Sequence, residues 1–319
     1  MTMMRAARVT AYGGPDVIEF VEIPRPVPRA GEVLVRVIAA PVTSGDMRMR
    51  SGKVPRGMQM LLRLAIGWNG PRNPVPGWGY VGEVVAGEGL ASGTIVAGLA
   101  GFKGGAHAEY LRAPTKGPIL PLPPGLDPVR VAGTLFGGLT AAHFLLDRAK
   151  VRRGDRVWIN GATGGVGAAA VRLARHLGAE VTATASAARA ELAAELGAHH
   201  FHPYSAGLPT GLFDVVVDVF GNAPFSVARP LLAPDARHVA VTATLADSWA
   251  AALRPNVGTH RRVAGTNRDD RASLARFLDL VATGALPPIP VTVFPFAQLR
   301  AAHALAETMH KPGALVVSM

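Results

Sequence analysis

The apolar positions of the chain follow two regimes. Up to about residue 125 they come in short runs cut by glycine and proline. Glu32-Val-Leu-Val-Arg-Val-Ile38 alternates as a half-buried strand does, and Val81-Gly-Glu-Val-Val-Ala86 and residues 106–111 are further short runs. Strands punctuated this way predict a partly open β-barrel or sandwich. Pro121-Leu-Pro-Pro-Gly125 then makes a stiff connection and a natural boundary.

Beyond it the period changes. Residues 127–150 predict a mainly helical segment, interrupted at Gly137-Gly138. Strands at 156–160, 180–184, 213–219 and 238–242 then alternate with helices at 165–177, 188–196 and 225–232. That alternation predicts a doubly wound parallel sheet, so the fold class is α/β with a second, β-rich domain. An amphipathic helix over 271–283, a helix over 296–308 and a strand over 314–317 complete the pattern.

Composition narrows the chemistry. The chain has 319 residues, enough for two domains, and no cysteine. Disulfides, thiolate nucleophiles and Cys-ligated metal centres are therefore excluded. The net charge of +11 rests on 28 Arg and 5 Lys, most of the Arg standing singly. The densest run, Arg148, Lys150, Arg152, Arg153 and Arg156, precedes the glycine motif described next. This scatter predicts no specific nucleic-acid partner, while a cofactor with several phosphates would use part of the charge. Residues 1–13 hold no apolar core of signal-peptide length, and residues 58–68 are cut by Arg63 and too short to span a bilayer. The expectation is a cytoplasmic protein with no membrane partner.

The strongest motif is Arg156-Val-Trp-Ile-Asn-Gly-Ala-Thr-Gly-Gly-Val-Gly167. A strand ends at Asn160, glycines follow at 161, 164 and 167, and a helix opens with Ala168-Ala-Ala170. Gly161 permits the turn, Gly164 lets backbone approach a pyrophosphate, and Gly167 lets helix and strand pack closely. The first-turn N–H groups and the helix dipole then face phosphate. The end of the next strand, where an NAD site carries Asp or Glu, reads Val181-Thr-Ala-Thr-Ala-Ser-Ala-Ala-Arg189 and has no acid. Ser186 can hydrogen-bond a 2′-phosphate, Arg189 can pair with it, and Tyr204 follows the next short strand. NADPH is expected in preference to NADH.

Together these residues resemble the medium-chain dehydrogenase/reductase superfamily, in its zinc-independent quinone oxidoreductase-like branch. The likeness runs almost end to end. It is carried by Ala11-Tyr-Gly-Gly-Pro-Asp-Val-Ile-Glu19, taken as an opening hairpin, by Pro26–Arg36, by Thr43-Ser-Gly-Asp-Met-Arg-Met-Arg-Ser-Gly52, which resembles the segment that approaches the nicotinamide, by Gly104-Gly-Ala-His-Ala-Glu-Tyr-Leu111 and by Gly137-Gly-Leu-Thr-Ala141. The glycine motif, Asp214-Val-Val-Val-Asp-Val-Phe-Gly221 and Gly313-Ala-Leu-Val-Val317 complete it. It implies a GroES-like domain (1–123 and 267–319) interrupted by a Rossmann domain (124–266), and a homodimer joined through edge strands of the Rossmann sheets. It implies cofactor contacts at Thr43, Thr140, Asn160, Ala162, Thr163, Gly164, Gly165, Val166, Val219, Phe220, Gly221, Ala243 and Thr244, beside Ser186, Arg189 and Tyr204. The chain departs from the family at Thr43, where many members have Asn, at Gly79, where many have an acid, near Ser92, where a loop is shortened, and at Gly313-Ala314, where Gly-Lys is common.

Zinc chemistry of the family needs cysteines that this chain lacks, and no two of the ten histidines stand four apart with an acid nearby. Hydride transfer needs no metal; the protein supplies positioning and stabilisation of charge on a carbonyl oxygen. Thr43 is the first candidate donor. Asp46 either orients Thr43 or caps the helix that follows. Tyr80, with Trp78, either walls an aromatic pocket or packs in the core. His107 and His143 are relay candidates or hydrogen-bonded buried histidines. Thr140 either contacts the nicotinamide side of the cofactor or bonds its own helix. Met47, Met49, Met58 and Met60 either line an apolar entrance or pack.

The expected function is NADPH-dependent reduction of an enone or quinone, with a bulky polyketide-like metabolite as substrate. A carbonyl/alcohol oxidoreductase, a non-redox isomerase or cyclase, and a cofactor-gated binding protein stay open.

Overall fold

A computed structural model describes residues 2–54, 57–308 and 311–319. The β-rich half is built around one long strand, Glu32–Val42. Along one side it pairs antiparallel with Gly79–Gly87; along the other it pairs with Tyr110–Pro114 and then, over residues 39–42, with Ala314–Ser318. Ile95–Leu99 and Ile119–Pro121 extend the sheet at one end, and Val291–Pro295 extends it in parallel at the other. Burial follows the predicted alternation only in part: Val33, Val35 and Val37 are buried and Arg36 is exposed, but Leu34 is buried too. Chain from near both termini therefore shares one sheet.

The second sheet runs in the order His200–Pro203, Glu180–Ala185, Arg156–Asn160, Phe213–Asp218, Leu232–Ala240, His260–Ala264, Asn256–Val257. All neighbours are parallel except the last pair. Taken as 3-2-1-4-5-6, this is the doubly wound order whose topological switch lies between Arg156–Asn160 and Phe213–Asp218. Ligands bind such sheets at the carboxyl ends of the strands, beside that switch. The glycine motif begins there.

Helix Pro128–Ala142 lies between the two sheets and packs against helices Gly165–His176 and Arg271–Ala282. Asp127 caps its N-terminus by accepting from the backbone N–H groups of Val129 and Arg130. Continued to Arg148, it is the one helix among the described residues long and apolar enough to cross a membrane, yet 78% of that window is buried inside the protein. The interruption expected at Gly137-Gly138 does not occur. A Cβ on Gly137 would stand 2.3 Å from the Gly165 carbonyl oxygen, and one on Gly138 would stand 2.4 Å from the Phe277 ring. These glycines permit close packing, and the irregularity falls later, in a π-helical turn over His143–Arg148.

Other expectations shift. The opening hairpin has its arms at Met3–Arg8 and Glu19–Pro24, so residues 11–18 are the connection. The strand expected at 106–111 forms at Tyr110–Pro114: Gly104 and Gly105 hold positive φ, and of residues 106–109 only Ala108 bridges, to Ala6 of strand Met3–Arg8. The strand expected at 238–242 begins at Leu232, hidden in sequence by Pro234-Asp235, and ends at Ala240. Asp235 takes a φ of 60° there. Strands Val291–Pro295 and His260–Ala264 had no clear sequence signal.

Candidate active-site cleft

A cleft of about 330 Å³ opens between the two sheets at the topological switch. Its floor is the glycine motif. Gly161 has a φ of 88°, and a Cβ on Gly167 would come within 2.0 Å of the Gly161 carbonyl oxygen, so residue 167 has room for hydrogen alone. Gly164 is the N-cap of helix Gly165–His176, and no side chain caps that helix. Open space lies over Gly164: only the Gly161 carbonyl oxygen, at 4.0 Å, approaches a Cβ built there. The N-terminal end of the helix thus faces the cleft with its positive dipole unopposed. The tail is fastened to this floor by a Gly313 N–H to Thr163 carbonyl bond of 2.8 Å.

The structure brings most of the sequence-read residues together. Thr43, Thr140, Thr163, Gly164, Gly165 and Val166 line the cleft. So do Ser186, Arg189, Tyr204, Val219 and Phe220. The Tyr204 and Phe220 rings lie 5.5 Å apart between centroids, and burial pushes the Tyr204 hydroxyl up to about 12, with Asp218 adding to the shift.

Other residues take a different place. Asn160 is buried and spends its amide on Asp218 and Asn222, at 2.7 and 2.5 Å, clamping the two switch-point loops. Asp218 in turn accepts from the backbone N–H groups of Gly221 and Ala223. Ala162 is buried in the sheet–helix core. Gly221 and Ala243 lie outside the lining, where Val241 and Thr242 stand instead. Thr244 caps helix Leu245–Leu253 in a capping box with Asp247.

The catalytic candidates separate the same way. Thr43 is the N-cap of helix Ser44–Ser51. Its hydroxyl donates to Asp46 Oδ2 at 2.6 Å and accepts from the Asp46 N–H at 3.1 Å. Asp46 also accepts from the backbone N–H groups of Thr43 and Trp78. Both readings of Asp46 hold at once: it caps the helix and fixes Thr43. The consequence is that Thr43 has no proton left to donate and faces the cleft as an acceptor. Thr140 likewise donates to the Phe136 carbonyl, 2.8 Å away, while lining the cleft.

Tyr80 lies inside the β-rich half among Val35, Val84 and Val96, away from the cleft lining, and burial raises its pKa. His107 is fully buried behind the wall. Its Nε2 stands 3.2 Å from the Pro41 carbonyl and its ring packs edge-on against His303. Burial pushes its pKa down against the pull of Asp46. His143 is tied to Asp147 at 3.3 Å, and that carboxylate is shared with Arg276. Trp78 packs on Phe136 and donates to Asp269, so its ring backs the wall without forming it. None of the four methionines lines the cleft, and Met60 is exposed. A Cβ on Gly79 would stand 2.9 Å from a Leu135 methyl, so a side chain there requires Leu135 to shift.

Two charged residues carry no role of their own in the sequence reading yet line the cleft: Arg48, which lies inside the Thr43–Gly52 segment, and Lys311. Arg48 stands five residues after Thr43 on the same short helix, a spacing that was available as a signal. Lys311 was available as well, because the cation missing at 314 stands three residues earlier. Arg48, Arg189 and Lys311 give the lining three basic side chains, and no carboxylate among the described residues lines it. The cleft is built for a ligand with several negative charges.

A family model described as zinc-binding dehydrogenase matches residues 196–317. The spectinabilin polyketide synthase system protein NorB of Streptomyces orinoci is 33% identical over 98% of this chain, which spans only 14% of NorB's length. The quinone oxidoreductase of Sus scrofa is 30% identical, over 75% of this chain and 73% of its own. The solved quinone oxidoreductase of Coxiella burnetii superposes with a TM-score of 0.85 over 100% of both chains, at 26% identity. The chain belongs to the medium-chain dehydrogenase/reductase superfamily. Within it, this is an oxidoreductase of the quinone oxidoreductase-like branch. The zinc of the family model's description finds no ligand set here: the chain has no cysteine, and the described residues contain no group of three or more His, Asp or Glu side chains that could hold a metal ion.

Proposed function

We propose that the protein is an NADPH-dependent reductase of α,β-unsaturated carbonyl compounds or quinones, acting on a bulky polyketide-like substrate. The observation that carries this reading is the cleft's charge pattern: three basic side chains and no carboxylate over a bare helix N-terminus. Residues 161–166 would hold the pyrophosphate against the helix dipole. Ser186 and Arg189 would hold the 2′-phosphate, with Tyr204 beside them. Val219, Phe220, Val241 and Thr242 would pack along the nucleoside. Thr43 and Thr140, with their protons committed, offer lone pairs to hydroxyl and amide donors at the nicotinamide end.

When bound, reduced nicotinamide supplies a hydride. The chain's own part is to seat the acceptor and exclude water. Phe136, Phe144, Ala306 and Leu315 give the lining an apolar stretch suited to a hydrocarbon body. The likeness to a polyketide synthase protein supports an acyl substrate of that kind. The likeness to quinone oxidoreductases supports a conjugated carbonyl as the acceptor. A homodimer through the open edge at Asn256–Val257 completes the proposal, and light scattering should read the mass of two chains.

The test is titration with NADPH and NADH in parallel, followed by an enone and quinone turnover screen. NADPH should bind at least tenfold tighter, and product should gain two daltons. Binding of neither nucleotide contradicts the proposal.

A further inference from the structure

Reduction of a conjugated carbonyl places negative charge on its oxygen and requires a proton, and the donors expected from sequence are committed elsewhere. The Thr43 hydroxyl donates to Asp46. Tyr80 is enclosed in the β-rich core, and His107 is sealed behind Pro41. Lys311 differs. It lines the cleft beside Val42 and Thr43, and its ammonium makes one long hydrogen bond, 3.4 Å to the Val42 carbonyl. A lysine ammonium has three N–H groups, so two are left without a hydrogen-bond partner among the described residues. Arg48 shares the cleft, but a guanidinium does not give up a proton near neutral pH.

We propose that Lys311 is the catalytic residue that stabilises the developing oxyanion and protonates it. The proposal rests on the reductase reading for its substrate. As a hydride adds to the β-carbon, the alkene π pair shifts to form the enolate and the carbonyl π pair moves onto oxygen. The ammonium meets that charge. An Nζ–H bond then breaks and an O–H bond forms, leaving an enol and a neutral amine. Water returns the amine's proton, and the enol becomes the ketone by exchanging its O–H proton for a solvent proton at the α-carbon. With a quinone the same transfer yields the hydroquinone oxygen.

The surroundings suit this role. Burial lowers the Lys311 pKa, opposed by the charge of Asp46 on helix Ser44–Ser51. From helix Leu299–Glu307, His303 faces it as a neutral ring, since burial and nearby cations hold that histidine's pKa well below its ordinary value. Arg48 adds a second positive charge to the same cleft. Asp46 thus positions Thr43, and its charge favours the ammonium form of Lys311.

The test reads charge stabilisation without turnover. p-Nitrophenol is titrated against protein saturated with NADP⁺, and phenolate absorbance is followed with pH. Wild type should lower the apparent pKa of the bound phenol by about one unit, a tenfold shift in its ionisation equilibrium. K311M should abolish the shift. K311R should keep most of it while losing at least 100-fold in kcat, because arginine supplies charge without a transferable proton. An unchanged phenol pKa in K311M, absence of phenolate binding to wild type, or wild-type turnover by K311R overturns the proposal. A Lys311-dependent shift in a protein that reduces no enone or quinone sustains the oxyanion site and sinks the reductase reading alone.

Discussion

The two walls of the cleft are made by different means. The floor from the parallel sheet is made of backbone: Gly161 and Gly167 are required by a positive φ and by a 2.0 Å clearance, and Gly164 leaves open space over the helix N-terminus. The wall from the β-rich sheet is made of side chains whose roles depend on neighbours far away in sequence. Thr43 changes from donor to acceptor because its hydroxyl donates its hydrogen bond to Asp46, and Asp46 is itself held by the Trp78 N–H across 32 positions. Backbone requirements leave a local trace in the sequence, whereas the commitment of a hydroxyl proton does not.

The largest effect expected along that contrast is at the floor. Gly167→Val should abolish nucleotide binding, a loss of at least 100-fold by fluorescence titration, and should cost about 1–3 kcal/mol or more of stability from overpacking. Full-affinity binding by this variant would show that the motif is not the cradle.

Next in size is the discrimination between nucleotides. Arg189→Ala should weaken NADPH about 10- to 100-fold, the worth of a charge-assisted hydrogen bond of roughly 1.5–3 kcal/mol, and leave NADH almost unchanged. Equal losses for both nucleotides would move Arg189 away from the 2′-phosphate.

On the other wall, Asp46→Ala removes the acceptor of two backbone N–H groups, those of Thr43 and Trp78, and of the Thr43 hydroxyl. Loss of the cap and the buried acceptor should lower stability by about 1–3 kcal/mol in urea melts. It should also lower kcat by more than it raises KM for NADPH. Asp46→Asn should recover part of the stability and little of the rate.

The smallest effect is a pH dependence. The folded-state pKa of Lys311 lies below its unfolded value because burial disfavours the ammonium. Between those two values the unfolded chain binds more protons, so this group's contribution to stability rises with pH across that window and falls again as pH drops through the folded pKa. Lys311→Met should therefore match or exceed wild type in melting temperature at neutral pH, and the difference should shrink as pH rises toward 10. A marked loss of stability in K311M at neutral pH would contradict the cost assigned to its burial.

What the sequence revealed follows the same division. The doubly wound sheet, its glycine turn and the acid-free second strand end were legible because each leaves a local pattern over a few residues. The π-helical turn at His143–Arg148 was not, since Gly137-Gly138 looks like a break until Phe277 and Gly165 are seen against it. Asn160 drew attention as a motif residue, but its amide clamps the loops from behind. Lys311 went unremarked because its importance comes from the register that lays Leu315 opposite Val42, which carries the preceding turn into the cleft beside Thr43.

The central claim is reduction with nucleotide-derived hydrogen. The most direct measurement is turnover of a conjugated enone with NADPH deuterated at both C4 positions, read by product mass. The account predicts a product heavier than substrate by one deuterium and one solvent hydrogen. A product of unchanged mass, or one without deuterium, would contradict it.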